Sequence, residues 1–255
     1  MNPLLKIIAD PIEKHREIAI DIFIKLINRI KFDKLLISIL LTAIFQRLNK
    51  IPFAEPSEEL RINLINLLQS ILDKYTEEFK PQLYELAKMI SVLLTDQCPE
   101  LKVKLSQFII NLTKKLKKDI GIYSKKILSS LSLNLKHQQN KIRKITLNSF
   151  TELILCDNAG EFLGDNLDAL KVLINDRNYD VRKTFYADIA KMLKSFNIIY
   201  LRKYESHLVL FLLNGLSDEK DEIKAQVKEY IEYCGNNRKQ LAIELGEDIS
   251  KFNDL

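Results

Sequence analysis

The amino-acid sequence predicts an all-helical protein built as a row of stacked helix pairs, and three observations carry that prediction. Glycine and proline are scarce, six of each in 255 residues of which 47% are hydrophobic. There is little material for tight turns and much for long helices joined by short connections. A turn pattern returns about every 40 residues, and between the turns apolar residues recur at three- and four-residue steps, the period of a helix that buries one stripe.

The turn pattern is an apolar helix end, a polar turn, then an apolar anchor followed by a base. It reads TDQCPELKVKL at 95–105, LKHQQNKIRKI at 135–145, INDRNYDVRKT at 174–184 and LSDEKDEIKAQ at 216–226. The anchors Leu101, Ile142, Val181 and Ile223 are 41, 39 and 42 residues apart. An earlier copy, FAEPSEELRIN at 53–63, sets its anchor Leu60 41 residues before Leu101, and a weaker one, ADPIEKHREIA at 9–19, carries His15-Arg16 at the equivalent place. A period near 40 with two helical stretches per unit is the signature of HEAT or armadillo repeats; a period near 34 fits less well. In the second stretch of a unit, Leu101, Leu105, Ile109, Leu112 and Leu116 recur at helical steps, as do Val181, Phe185, Ile189 and Met192. A lone helix pair cannot cover such stripes, so neighbouring pairs must. The expected architecture is a right-handed alpha-alpha superhelix of about six helical-hairpin repeats, with residues 1–255 forming one solenoid.

Each unit also carries a charge pattern. Five residues before the anchor stand Glu55, Asp96, Asp176 and Asp218, and just after it Arg61, Lys102, Arg143, Arg182 and Lys224. A carboxylate there accepts backbone N–H bonds at the start of the second helix or pairs with the base of an adjacent repeat, so a feature repeated in every unit belongs to the stacking. His137 replaces the acid in the fourth unit, which marks one joint as different and weaker.

Several function classes find no support. The N-terminus MNPLLKIIADPIEKHRE has a short apolar run and no small-residue cleavage site after it, so a cytoplasmic location is expected. The longest uncharged run, twelve residues from Leu35 to Gln46, is shorter than the roughly 20 needed to cross a bilayer and reads as a buried core helix. Cys98, Cys156 and Cys234 form no C-x-x-C pair and read as core thiols of a reducing compartment. Gly160 and Gly164 lie between helical segments with no strand before them, which argues against a phosphate loop. His15, His137 and His207 are dispersed, with no second ligand at helical spacing. The acid pairs Glu58-Glu59 and Asp221-Glu222 open predicted helices, where the helix dipole favours them. No cofactor, metal or catalytic residue is expected.

Charge distribution is the sharpest remaining feature. Between Leu101 and Lys144 there are twelve Lys or Arg against one acid, Asp119, while from Ser217 to Leu255 ten acids face six bases. The acidic end reads as a polar cap or second contact surface. The basic run, with Lys104, Lys114, Lys115, Lys118, Lys125, Lys126 and Lys144, reads either as a solvated face or as a partner-binding surface for an acidic or unfolded segment, with the second helices as its platform. A HEAT-like nucleic-acid protein such as a DNA glycosylase, using Lys102 to Lys144 against phosphates, would need stacking aromatics. Tryptophan is absent, and between Lys114 and Lys144 only Tyr123 offers one.

Four segments, ADPIEKHREIA at 9–19, IPFAEPSEELRINLINLL at 51–68, ALKVLINDRNYDVRKTF at 169–185 and FLLNGLSDEKDEIK at 211–224, resemble the HEAT-repeat dynein axonemal assembly factors. The PFAEPSEELR turn is the most distinctive. The resemblance implies a non-catalytic scaffold that assists cytoplasmic preassembly of axonemal dynein arms, with dynein heavy and intermediate chains and chaperones or other assembly factors as partners. Members of that family continue with many more repeats after this region, so the resemblance implies either the N-terminal part of a longer family architecture or a shortened version of it. A HEAT scaffold of transport-receptor or phosphatase-regulatory type shares the same repeat pattern and stays open at this point.

Overall fold

The computed structural model describes residues 3–245, and among them every regular element is helical. In chain order these are α1 (Pro3–Ile7), α2 (Glu13–Arg29), α3 (Lys34–Leu48), α4 (Glu58–Lys74), α5 (Leu83–Leu93), α6 (Pro99–Lys115), α7 (Lys117–Ile120), α8 (Ser124–Asn134), α9 (Asn140–Ile154), α10 (Leu167–Lys171), α11 (Tyr179–Ser195), α12 (Ile198–Asn214) and α13 (Asp221–Glu244). Each repeat anchor falls in the first turn of a second helix: Leu60 in α4, Leu101 in α6, Ile142 in α9, Val181 in α11 and Ile223 in α13. All five are buried. The helices start where the turn chemistry directs: the Ser57 hydroxyl accepts from the Leu60 N–H, Asn178 from the Val181 N–H, and Pro99 occupies the first turn of α6, a position that needs no N–H.

The chain divides into two compact units, residues 1–162 and 163–255. In the first, the second helices α2, α4, α6 and α9 pack in series, and the first helices α3, α5 and α8 form a parallel series beside them. The layers meet over Leu64, Leu68, Leu86, Ile90, Leu105, Ile109, Leu128, Leu131 and Phe150, all buried. This is the sharing of apolar stripes that a repeat stack requires. In the second unit α11 packs on α12 and α13 around Phe185, Tyr186, Ile189, Leu208 and Val227. The Phe185 ring meets that of Tyr186 edge-on, with centroids 5.3 Å apart.

Two local features depart from the sequence expectation. The uncharged run 35–46 does form α3, but only one side of it is core: Ile37, Leu40, Leu41, Ile44 and Phe45 are buried, whereas Leu35 is 67% and Ile39 40% exposed. Absence of charge therefore overstated its burial. Between α6 and α8 the chain inserts α7 and a 3-10 turn, Gly121–Tyr123, pinned by the Asp157 N–H donating to the Lys117 carbonyl at 3.2 Å. Gly121 is obligatory there, since a Cβ would stand 1.7 Å from the Asp157 carbonyl oxygen. Asn158, at φ 64°, turns the opposing strand of chain, a left-handed conformation that asparagine tolerates better than most residues.

Candidate functional site

The repeated charges build the joints between repeats. Arg16 lies buried and grips Glu55 with two nitrogens, Nε to Oε2 at 2.7 Å and Nη2 to Oε1 at 2.8 Å, while its Nη1 donates to the carbonyls of Asp10 and Pro11. Arg61 repeats the arrangement, reaching Asp96 Oδ2 at 2.8 Å and the carbonyls of Glu55 and Pro56. Arg182 does so again with Asp218, at 2.8 and 3.0 Å, and with the Asp176 carbonyl. Each guanidinium thus ties its own turn to the carboxylate of the next repeat, a planar donor matched to a planar acceptor. The carboxylate serves a second purpose by accepting the N–H two residues on: Ser57 on Glu55, Cys98 on Asp96, Asn178 on Asp176 and Lys220 on Asp218. Both roles expected from the sequence occur together. Burial acts to raise the carboxyls of Glu55 and Asp218, but the arginine and backbone hydrogen bonds outweigh it and hold both below the ordinary range.

The fourth-unit exception is equally concrete. The His137 Nδ1 accepts the Gln139 N–H at 3.1 Å, the place the carboxylate oxygen takes elsewhere, so the ring is neutral in this geometry. The base facing that joint, Lys102, is buried, and its ammonium donates to the Leu94 carbonyl at 2.7 Å and Asn134 Oδ1 at 2.8 Å. Burial pushes Lys102 below its ordinary value, opposed by the charge of Asp96. Burial and the charges of Lys102 and Arg143 push His137 down. An amide and a carbonyl replace the ion pair at this joint.

The buried joints leave a solvent-facing stripe along the second helices. Counting from each anchor, the third, sixth, tenth and thirteenth residues share that stripe: Asn63, Asn66, Ser70 and Asp73 on α4; Lys104, Gln107, Asn111 and Lys114 on α6; Ile145, Asn148, Glu152 and Leu155 at α9. None of the twelve is buried. The α6 stripe reaches the neighbouring second helix, since the Asn111 amide donates to Gln69 Oε1 of α4, beside the α4 stripe, at 2.9 Å. The sixth position is an amide in three consecutive repeats, Asn66, Gln107 and Asn148, spaced 41 residues apart. The anchors give this register directly, yet the sequence reading followed only charge and missed it.

The predicted lysines do not converge on one surface. Lys104 and Lys114 lie on the exposed stripe of α6, and Lys144 sits one turn before Asn148 on α9. Lys115 is committed to α4, pairing with Asp73 at 3.1 Å and donating to the Leu72 and Asp73 carbonyls, where a cation suits the helix end. Lys118 is exposed on α7, and Lys125 and Lys126 are on α8 in the first-helix layer, with Lys125 5.8 Å from the Phe162 ring centre. Lys102, which opens the basic run, is unavailable to phosphates because it is buried.

The remaining candidates fall into structural places. Cys98 and Cys156 are buried and Cys234 half-buried, all as free thiols, with burial pushing Cys156 up to about 12. Gly160 and Gly164 lie in the 3-10 segment Ala159–Asn166. Among the described residues no cluster of three His, Cys, Asp or Glu is arranged to hold a metal, and no helix is long and apolar enough to cross a membrane. The predicted acidic cap lies partly outside the described residues, since it includes Glu247, Asp248 and Asp254.

The fold has solved counterparts. Yeast importin-beta superposes over 99% of this chain and 32% of its own with a TM-score of 0.65 at 17% identity. A designed armadillo repeat protein in complex with peptide (KR)4 superposes over 90% of this chain and 97% of its own, with a TM-score of 0.64 at 16% identity. These likenesses establish the HEAT and armadillo type of stack. In sequence, the chain is 24% identical over 236 residues to dynein axonemal assembly factor 5 of Xenopus laevis, covering 92% of this chain but only 28% of that relative. Residues 1–242 match the family described as dynein axonemal assembly factor 5-like, TPR repeats, although the 39- to 42-residue period here is that of HEAT units. The chain belongs to the dynein axonemal assembly factor 5-like family.

Proposed function

We propose that this chain is a non-catalytic protein-binding scaffold that assists cytoplasmic preassembly of axonemal dynein arms, with dynein heavy and intermediate chains and their chaperones or other assembly factors as partners. The observation that carries the reading is the family match over residues 1–242. Supporting it, the buried charges are spent on joining repeats, and the exposed face of the second helices carries Lys104 and Lys114 on the stripe of α6 and Lys144 one turn before Asn148 on α9. Of the seven lysines singled out in the sequence, these three belong to that face; Lys115, Lys118, Lys125 and Lys126 lie beside it or on the other layer.

The test is affinity purification of the tagged chain from ciliated cells, with mass spectrometry of cytoplasmic partners, in parallel with a variant carrying Lys104→Glu, Lys114→Glu and Lys144→Glu. Dynein heavy or intermediate chains should be recovered with the parent and depleted with the variant. Recovery of transport cargo or nucleic-acid proteins in place of dynein chains would overturn the assembly reading. Equal recovery with both proteins would remove the second-helix face from it.

A further inference from the structure

We infer that the row of side-chain amides on the second helices, Asn66, Gln107 and Asn148, reads the main chain of an extended, acidic polypeptide segment. The inference rests on the proposal that the second-helix face is the binding face, and it names what that face recognises. Three features of the first unit carry it.

The first is register. The three amides occupy the same position in consecutive repeats, six residues after Leu60, Leu101 and Ile142, so they form a line across α4, α6 and α9, which pack in series. The second is availability. Stacking is done by buried arginines and carboxylates, whereas these amides hold at most a long bond within their own helix: Asn66 Nδ2 to Asn63 Oδ1 at 3.5 Å, and Gln107 Nε2 to Asn111 Oδ1 at 3.4 Å. A repeated polar residue with no part in the joint is there for something other than packing. The third is charge. Lys104 and Lys114 flank Gln107 on α6, and Lys141 and Lys144 precede Asn148 on α9, all exposed. Two carboxylates share the stripe, Asp73 on α4, paired with Lys115, and Glu152 on α9, so the four exposed lysines leave it net basic.

An amide side chain offers a donor and an acceptor side by side. It can therefore pair with the N–H and C=O of a peptide whatever that peptide's side chains are. Packed helices lie about 8–10 Å apart, and an extended chain advances about 3.3 Å per residue. A segment laid across the helices would thus meet an amide at roughly every third residue, while intervening acidic side chains reach the lysines. A helical ligand does not fit this arrangement, because its backbone groups are already paired. Single-stranded nucleic acid would match the charge, but the stripe has no aromatic residue for base stacking.

The experiment is fluorescence anisotropy on the full chain with three labelled probes: a 12-residue peptide alternating Glu and Ser, the same peptide N-methylated at alternate residues, and a 12-nucleotide single-stranded DNA. Asn66→Ala, Gln107→Ala and Asn148→Ala are combined in one variant, whose melting temperature is measured first. The parent should bind the unmodified peptide at least about tenfold more tightly than the methylated one, since two or three main-chain hydrogen bonds are at stake. The amide variant should lose that preference and keep the parent's salt dependence. The probe comparison on the parent alone keeps the idea testable if the variant misfolds. Equal binding of both peptides, or tighter binding of the DNA, overturns the inference. If, in that case, the Lys104→Glu, Lys114→Glu, Lys144→Glu variant still loses the acidic peptide, the face reading survives without the amides. If the parent binds neither peptide, the inference fails, and the partner purification decides the wider proposal separately.

Discussion

Replacing Asp96 by alanine probes the joints most directly. Arg61 and Asp96 are both buried, with side chains 7% and 3% exposed, so the substitution strands a guanidinium away from water. It also orphans the Cys98 N–H that Asp96 Oδ1 now accepts at 2.8 Å. Removing one partner of a buried pair costs about 3–5 kcal/mol. Arg61 keeps its bonds to the Glu55 and Pro56 carbonyls, which places the expected loss near the lower end, about 3 kcal/mol. Urea unfolding followed by circular dichroism reads this as a midpoint lowered by roughly 1 M. The paired replacement Arg61→Met with Asp96→Leu should cost only about 1 kcal/mol, mainly the orphaned N–H. The reasoning is refuted if Asp96→Ala costs under about 1 kcal/mol, or if the paired replacement costs as much as the single one.

Other outcomes follow from the same geometry. Lys102→Met should change stability by no more than about 1 kcal/mol, because no carboxylate is left stranded and Asn134 still donates to the Leu94 carbonyl; urea unfolding beside Arg61→Met gives the contrast. His137 has a depressed folded-state pKa, so its contribution is complete above its ordinary value near 6.5 and is lost as pH falls through the lower folded value. A urea-midpoint profile from pH 7.5 to 5 should decline in that window, and His137→Asn should remove that part of the decline. Glu55 and Asp218 are depressed as well; their contribution holds above the ordinary carboxylate range and disappears at more acid pH, a second step in the same profile. Gly121→Ala should lower the melting temperature by more than 5 °C, since the new methyl collides with backbone that cannot swing aside. Gly235→Ala in α13 should raise stability by about 0.5–1 kcal/mol, because nothing lies within 4 Å of the added carbon.

Much of the stack was legible because each unit repeats one physical solution. The anchors, the helix starts and the base-to-acid rungs all follow from a spacing near 41 residues, and even the odd joint showed itself as a histidine in a column of carboxylates. What replaces the missing acid was hidden: Asn134 belongs to the preceding first helix, and nothing around it in sequence marks it as the acceptor for Lys102. The lysine cluster misled for a related reason. Contiguity in sequence put Lys114 beside Lys125, but a hairpin turn sends them to different layers. α3 shows the limit of reading burial from hydrophobicity, for Leu35 and Ile39 satisfy the pattern and still face water. The amide row was within reach through the register of the anchors, and a search for charge passed over it.

The rungs also bear on how such a protein can change length. Because Arg16, Arg61 and Arg182 each need only a carboxylate at a fixed place in the unit that follows, an in-frame duplication of such a unit supplies its own socket and its own plug. Tandem growth then requires no compensating change in the neighbours. The Lys102–His137 joint is the exception. Excising residues 96–136 would set Arg61 opposite His137, leaving a buried guanidinium facing an imidazole instead of a carboxylate. The two units that meet at this joint, one carrying Lys102 and the other His137, are therefore the ones that cannot be removed singly, so natural variation in repeat number should be found outside this stretch.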